Sequence, residues 1–135
     1  VIESLNGRVL FHGIRVKPGM PTMLSVVEDI PVLSLSGNPF AVAALFELLA
    51  GGYLADRAEE VYIQKKETKV LRQTFVKTGK PKRIVKGKCD EEGVFLPQIQ
   101  RNGQLKNGIG SNCLVVFPEG ERTYPEGEKV QVIRI

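Results

Sequence analysis

Residues 31–46 read Pro31-Val32-Leu33-Ser34-Leu35-Ser36-Gly37-Asn38-Pro39-Phe40-Ala41-Val42-Ala43-Ala44-Leu45-Phe46, an apolar run, a break and a second apolar run. The first run, Ile30 to Leu35, is short and continuous, which suits a central strand buried on both faces. The break has a specific chemistry. Asn38 is a good helix N-cap, Pro39 suits the first helical position because it has no N–H to leave unpaired, and Gly37 allows a sharp turn. A helix that starts in this way at the carboxyl edge of a parallel sheet aims bare N–H groups above the strand end, a cradle for phosphate or another anion. The helix is apolar on nearly every side until Glu47, so it has to be covered on most faces. Gly51-Gly52 either end it with a left-handed cap or let it run on through Tyr53-Leu54-Ala55-Asp56-Arg57.

Upstream, Phe11-His12-Gly13-Ile14-Arg15-Val16-Lys17-Pro18-Gly19-Met20-Pro21-Thr22 reads as a strand entering a Pro/Gly loop that carries Lys17. Val9-Leu10-Phe11 and Met23 to Val27 are strand candidates, with Glu28-Asp29 as a turn. A lysine ammonium beside a helix start suits a phosphate or oxyanion, so the two loops together mark an anion site. About 50 residues cannot cover so apolar a helix, because small domains bury a modest share of their surface. Further strands and helices are therefore expected upstream, and Val1, which is not an initiator methionine, fits a fragment of a longer chain.

The 135 residues make one ordinary domain or two small ones, and 42% hydrophobic content is that of a globular chain rather than a disordered one. The net charge of +4 is unevenly divided: residues 1–60 hold four basic and seven acidic side chains, residues 61–135 fifteen and eight. A boundary is expected between them, with residues 61–68, including Gln64-Lys65-Lys66-Glu67, as a linker. From residue 69 the period changes to two. Val70 to Val76, Arg83 to Lys86, Val94 to Leu96, Cys113 to Phe117 and Lys129 to Ile135 are expected strands, with turns at 78–81, 89–93, 107–108, 118–121 and 125–128. Short strands at this spacing predict a small closed or half-closed barrel. No apolar run approaches the ~18 residues that span a bilayer and no signal-peptide pattern is present, so a soluble, cytoplasmic protein is expected. Cys89, Cys113 and the single His12 offer no zinc spacing; the cysteines read as reduced, half-buried thiols and His12 as a packing or loop residue.

The order of these motifs resembles the molybdopterin molybdenumtransferases, the MoeA/gephyrin family, in which a Lys-Pro-Gly-Lys-Pro loop precedes a Leu-Pro-Gly-Asn-Pro turn. Val115-Val116-Phe117-Pro118-Glu119-Gly120 and Gly127-Glu128-Lys129-Val130-Gln131-Val132 are similar to the closing strands of that family's C-terminal domain. The resemblance implies an α+β fold. Residues 1–60 would be the second half of an α/β three-layer molybdopterin-binding (MoaB/Mog-like) domain, and residues 69–135 a small all-β, barrel-like C-terminal domain (domain IV). It also implies an enzyme of molybdenum cofactor biosynthesis that inserts molybdate into adenylylated molybdopterin, inactive as this fragment alone. Its catalytic acids and the Mg2+ they hold would lie upstream of Val1, with no metal ligands in this fragment.

Carried over residue by residue, the resemblance implies substrate contacts from Lys17, Pro18, Gly19, Ser36, Gly37, Asn38, Pro39, Lys86 and Asn102. Four positions depart from the family pattern: Met20 replaces a second lysine, Ser36 a proline, Lys86 an arginine and Asn102 a serine. Met20 removes a charge and Lys86 lacks arginine's bidentate fork, which leaves a divergent, non-catalytic pterin-binding or oligomeric scaffold as an alternative. The family works as homodimers, so Lys86 of one chain is expected near the Lys17 loop of the other. The rival signal is the basic run Lys69, Arg72, Lys77, Lys80, Lys82, Arg83, Lys86 and Lys88, with no acid between. Such a run on a β module could follow a nucleic-acid backbone, but Phe75 alone is interleaved as a stacking aromatic, and nucleic acid is the least favoured partner.

Overall fold

The computed structural model describes residues 1–59, 61, 63–97 and 110–135. Its first sheet comes from local chemistry. Strand β3 (Met23–Val27) and strand β4 (Ile30–Ser34) pair antiparallel around Glu28 and Asp29, both at positive φ, 49° and 64°. Two left-handed residues in a two-residue loop fit the right-handed twist of the flanking strands. β1 (Arg8–His12) adds to the other side of β3, with a bulge between Val9 and Phe11.

This meander corrects the expected parallel sheet. A two-residue turn cannot make the crossover that parallel strands need, so β4 is an antiparallel edge strand, exposed at Ile30 and Pro31 and half-buried beyond. The described residues 1–59 therefore form no three-layer α/β sandwich.

After β4, α1 (Pro39–Leu45) runs through a π-helical turn (Phe46–Ala50) into α2 (Gly51–Arg57). Gly51 has right-handed helical angles, so the helix passes through the glycines. The whole of Pro39–Arg57 is long and apolar enough by length and composition to cross a bilayer, which a search for unbroken apolar runs missed. Here Ala41, Ala44 and Leu45 are buried within the fold.

The second sheet has the order β2 (Val16–Lys17), β7 (Lys82–Cys89), β9 (Cys113–Phe117), β11 (Lys129–Arg134), β5 (Lys66–Val70), with β8 (Val94–Phe95) on the end of β7. β2 pairs with β7 in parallel, the other strand pairs of the sheet are antiparallel, and an isolated parallel bridge joins Leu71 to Val94 of β8. β5 begins inside the expected linker, and the chain breaks from strand geometry between Val70 and Phe75.

The sheet is open: β2 and β5 are its two ends and do not pair, so no closed barrel forms. Its edges are blunted instead, β2 by being two residues long and β5 by Lys66, Glu67 and Lys69. One face carries the cluster Val85, Val115, Phe117 and Val132, over which β6 (Phe75–Lys77) and β10 (Arg122–Tyr124) form a ribbon. Phe117 stacks on Phe75 at 4.5 Å between ring centroids and tilts against Tyr124 at 4.8 Å. The other face carries Ile84, Leu114, Val116 and Ile133, and Ala44 and Leu45 of α1 pack there with Ile14 and Val16.

Candidate functional site

The Ser-Gly-Asn-Pro turn caps its helix as expected, with a consequence for binding. Asn38 Oδ1 accepts from the N–H of Phe40 at 3.0 Å and of Ala41 at 3.2 Å, and Asn38 O accepts from Val42 N at 3.0 Å. Pro39 has no N–H. The first four helical positions thus offer no bare donor, which corrects the expected N–H cradle: the residue that defines the helix start also occupies it. Gly37 has no positive φ and open space where a side chain would be, so the turn does not demand glycine there. Ser36 Oγ is sealed from solvent with no hydrogen-bond partner among the described residues.

The Lys17 loop is tied to the same helix. Thr22, fully buried, donates from Oγ1 to Gly19 O at 2.7 Å, and Ile14 N donates to Met20 O at 2.9 Å. Gly19 lies at φ +113°, and a side chain on it would run into Leu45 Cδ1, so only glycine lets the loop lie this close to α1. Six residues after Pro39, Leu45 is about 9 Å along the axis from the helix start. Pro18 is half-buried and Lys17 is exposed.

β2 carries this loop onto the second sheet, where Val16 lies opposite Lys82 and Lys17 opposite Arg83. Alternation along β7 sorts the cations. Ile84 belongs to the face packed under α1, so Lys86 shares that face, and its Nζ sits 4.8 Å from the centroid of Phe40, the residue after Pro39. Arg83 and Val85 belong to the opposite face, where a cavity of about 430 Å³ is lined by them with Gln73, Phe75, Phe95 and Pro97. The register places Lys17 on that opposite face.

One chain therefore joins Pro18, Gly19, Pro39 and Lys86 around α1, while Lys17 stands with Arg83 across the sheet. Asn102 lies outside the described residues, as does the expected turn at 107–108.

Three cations of the basic run, Lys69, Arg72 and Lys77, are engaged within the fold. Lys69 Nζ is 3.6 Å from Glu67 and donates to Asp90 O at 3.1 Å, and Arg72 pairs with Asp90 at 3.4 Å and Glu92 at 2.8 Å. Lys77 is 1% exposed and donates to the carbonyls of Gly79 and Gly120. At the sheet's far end, Arg134 Nε donates to Glu67 Oε1 at 3.1 Å, which holds the Glu67 carboxyl below its usual range and raises Arg134. Sequence reading missed Phe40 under Lys86, Arg83 beside Lys17 and the burial of Lys77. Only Lys77 left a local signal, standing next to a Thr-Gly turn whose carbonyl it takes.

Residues 70–135 match the family model of the MoeA C-terminal region (domain IV). This part of the chain belongs to the MoeA family. A Methanocaldococcus jannaschii protein named for molybdopterin biosynthesis is 32% identical over 126 residues, covering 93% of this chain and 30% of its own length. The molybdopterin molybdenumtransferase of Bacillus subtilis is 27% identical over 144 residues, covering the whole of this chain and 33% of its own length. Among solved structures, a MoeA protein of Pyrococcus horikoshii superimposes with a TM-score of 0.83 at 27% identity, over 98% of this chain and 33% of that one. The chain thus spans about a third of the length of the relatives it matches. The superposition also covers β1 to α2, upstream of the MoeA C-terminal region itself.

Proposed function

We propose that this chain is the carboxyl-terminal part of a molybdopterin molybdenumtransferase of molybdenum cofactor biosynthesis, working in the cytoplasm, and that it contributes binding groups for the phosphate-bearing pterin. The observation that carries this is that the upstream loop and strand β7 both meet the same helix: Gly19 lies against Leu45, and Lys86 of β7 lies over Phe40 beside the Asn38-Pro39 turn. In this reading Lys17 and Lys86 hold anionic oxygens of adenylylated molybdopterin and molybdate by charge. Asn38 fixes the helix start, and the cations, rather than helix N–H groups, supply the attraction.

Mg2+ finds no fitting ligand set among the described residues. Among the described residues no three His, Cys, Asp or Glu side chains come together to hold a metal. In this reading the metal chemistry belongs to other parts of the full-length enzyme.

The opposite placement of Lys17 and Lys86 supports a homodimer, since a ligand touched by both needs Lys86 of one chain and Lys17 of another. The test is Lys17→Ala in the full-length protein, titrated calorimetrically with adenylylated molybdopterin. A loss of ~1–3 kcal/mol in affinity, the worth of a charged hydrogen bond, is expected. Unchanged affinity would return Lys17 to an ordinary surface lysine. The scaffold alternative is favoured by Ser36, whose stranded hydroxyl stands where the family has proline; it predicts pterin binding without molybdate insertion.

A further inference from the structure

Twenty-four positions separate Cys89 from Cys113, yet their Sγ atoms lie 2.7 Å apart. The backbone builds this approach. β7 and β9 pair with Gly87 opposite Cys113, and Cys89 follows two residues later. It is held across from Asn112, whose side chain accepts from Cys89 N at 2.7 Å and donates to Cys89 O at 2.9 Å. Arg134 Nη1 donates to the same carbonyl at 3.3 Å. Gly87 leaves the room for the sulfurs, since a Cβ there would come within 3.0 Å of Cys113 Sγ. Both cysteines are buried, Cys113 at 0% and Cys89 at 4% exposure. From this separation, a shift of under about 1 Å reaches the ~2.05 Å of an S–S bond.

We propose that Cys89 and Cys113 are a bonding pair: a mild thiol-exchange oxidant joins them in an intramolecular disulfide that locks the end of β7 to β9. The electrons balance with oxidised glutathione as oxidant. One protein thiol, losing its proton, attacks a glutathione sulfur; the glutathione S–S bond breaks and one reduced glutathione leaves. The second protein thiol then loses its proton and attacks the mixed disulfide, expelling the second reduced glutathione. Two protein thiols give up two electrons and two protons, and one glutathione disulfide becomes two thiols.

Cys89 is the entry point, because it ends β7 and is covered on one side by the two-residue β8, which frays more easily than the sheet around Cys113. Burial holds the Cys113 thiol well above the usual range, so it reacts second, once the mixed disulfide is beside it. The bond constrains the unfolded chain and stiffens the strand that carries Arg83 and Lys86.

The test uses the full-length protein, equilibrated with dithiothreitol or with oxidised glutathione, acid-quenched, alkylated, digested and analysed by mass spectrometry. The oxidised sample is expected to give a peptide pair linked through Cys89 and Cys113, about two hydrogen masses lighter than the free peptides. Its thermal midpoint should lie a few degrees above that of the reduced sample. In Cys113→Ala the midpoint should no longer respond to oxidant. Should that variant fail to fold, the wild-type peptide map decides alone. Full alkylation of both cysteines after oxidation, stable glutathione adducts on either of them, or links between chains would each overturn the proposal.

Discussion

Asn38 decides how the helix over the second sheet begins, and its effect can be separated from ligand binding. Its carboxamide oxygen serves two N–H groups at once, so Asn38→Ala should lower stability by ~1 kcal/mol, the usual cost of an N-cap. Urea denaturation of the full-length protein would show this as a lower midpoint with an unchanged slope. A midpoint equal to wild type would mean that the turn is held by packing alone. The cap was legible in the sequence because its partners are two and three residues away. Lys86 and Phe40 are 46 positions apart and meet only because α1 packs on the face of the sheet that carries Lys86, which no local pattern encodes. Cys89 and Cys113 escaped for the same reason: a pair that reads as two lone thiols is joined by the β7–β9 ladder.

At the scale of elements, the β5–β11 pairing shows how pH acts on the second sheet. Glu67 lies opposite Val132, and Arg134 crosses to its carboxylate. The folded Glu67 carboxyl is held below its ordinary value of 4.5, first by the Arg134 hydrogen bond. Its stabilisation is therefore complete above the unfolded value and is lost as pH falls through the lowered folded one. Glu67→Gln should thus be less stable than wild type at neutral pH, and the gap should close in acid. Thermal melts at several pH values would show it, and a gap independent of pH would assign the effect to packing. The pair is partly exposed, so the difference is expected to be small.

The β module was readable from its period of two and its turn residues. The first sheet was misread because a continuous apolar run fits a doubly buried strand or a strand whose face awaits a partner. The two residues Glu28-Asp29 were the better guide, since they leave no length for a crossover. Barrel closure could not be read either, because it depends on whether β2 and β5 meet, and nothing in either strand's own sequence says so.

Over the whole molecule, the long helix shows two faces. Ala41, Ala44 and Leu45 are buried within the fold, while Val42, Phe46, Leu49 and Tyr53 recur at spacings of four, three and four residues and remain exposed. A stripe of this kind is covered in a working assembly, and the proposed homodimer offers a cover. Phe46→Glu in the full-length protein should shift sedimentation velocity from dimer toward monomer; an unshifted profile would place the contact elsewhere. The parallel pairing of β2 with β7 bears on how this protein can be divided. A cut after the charged segment at residues 61–68 would strip β7 of its edge partner and lift α1 from Ile84, Leu114, Val116 and Ile133. The excised piece would offer its neighbours a bare hydrogen-bonding edge and an oily face, the two ingredients of self-association. The carboxyl-terminal module is thus no interchangeable cassette, and a chimera that grafts it onto another protein has to bring Ile14 to Leu48 along with it.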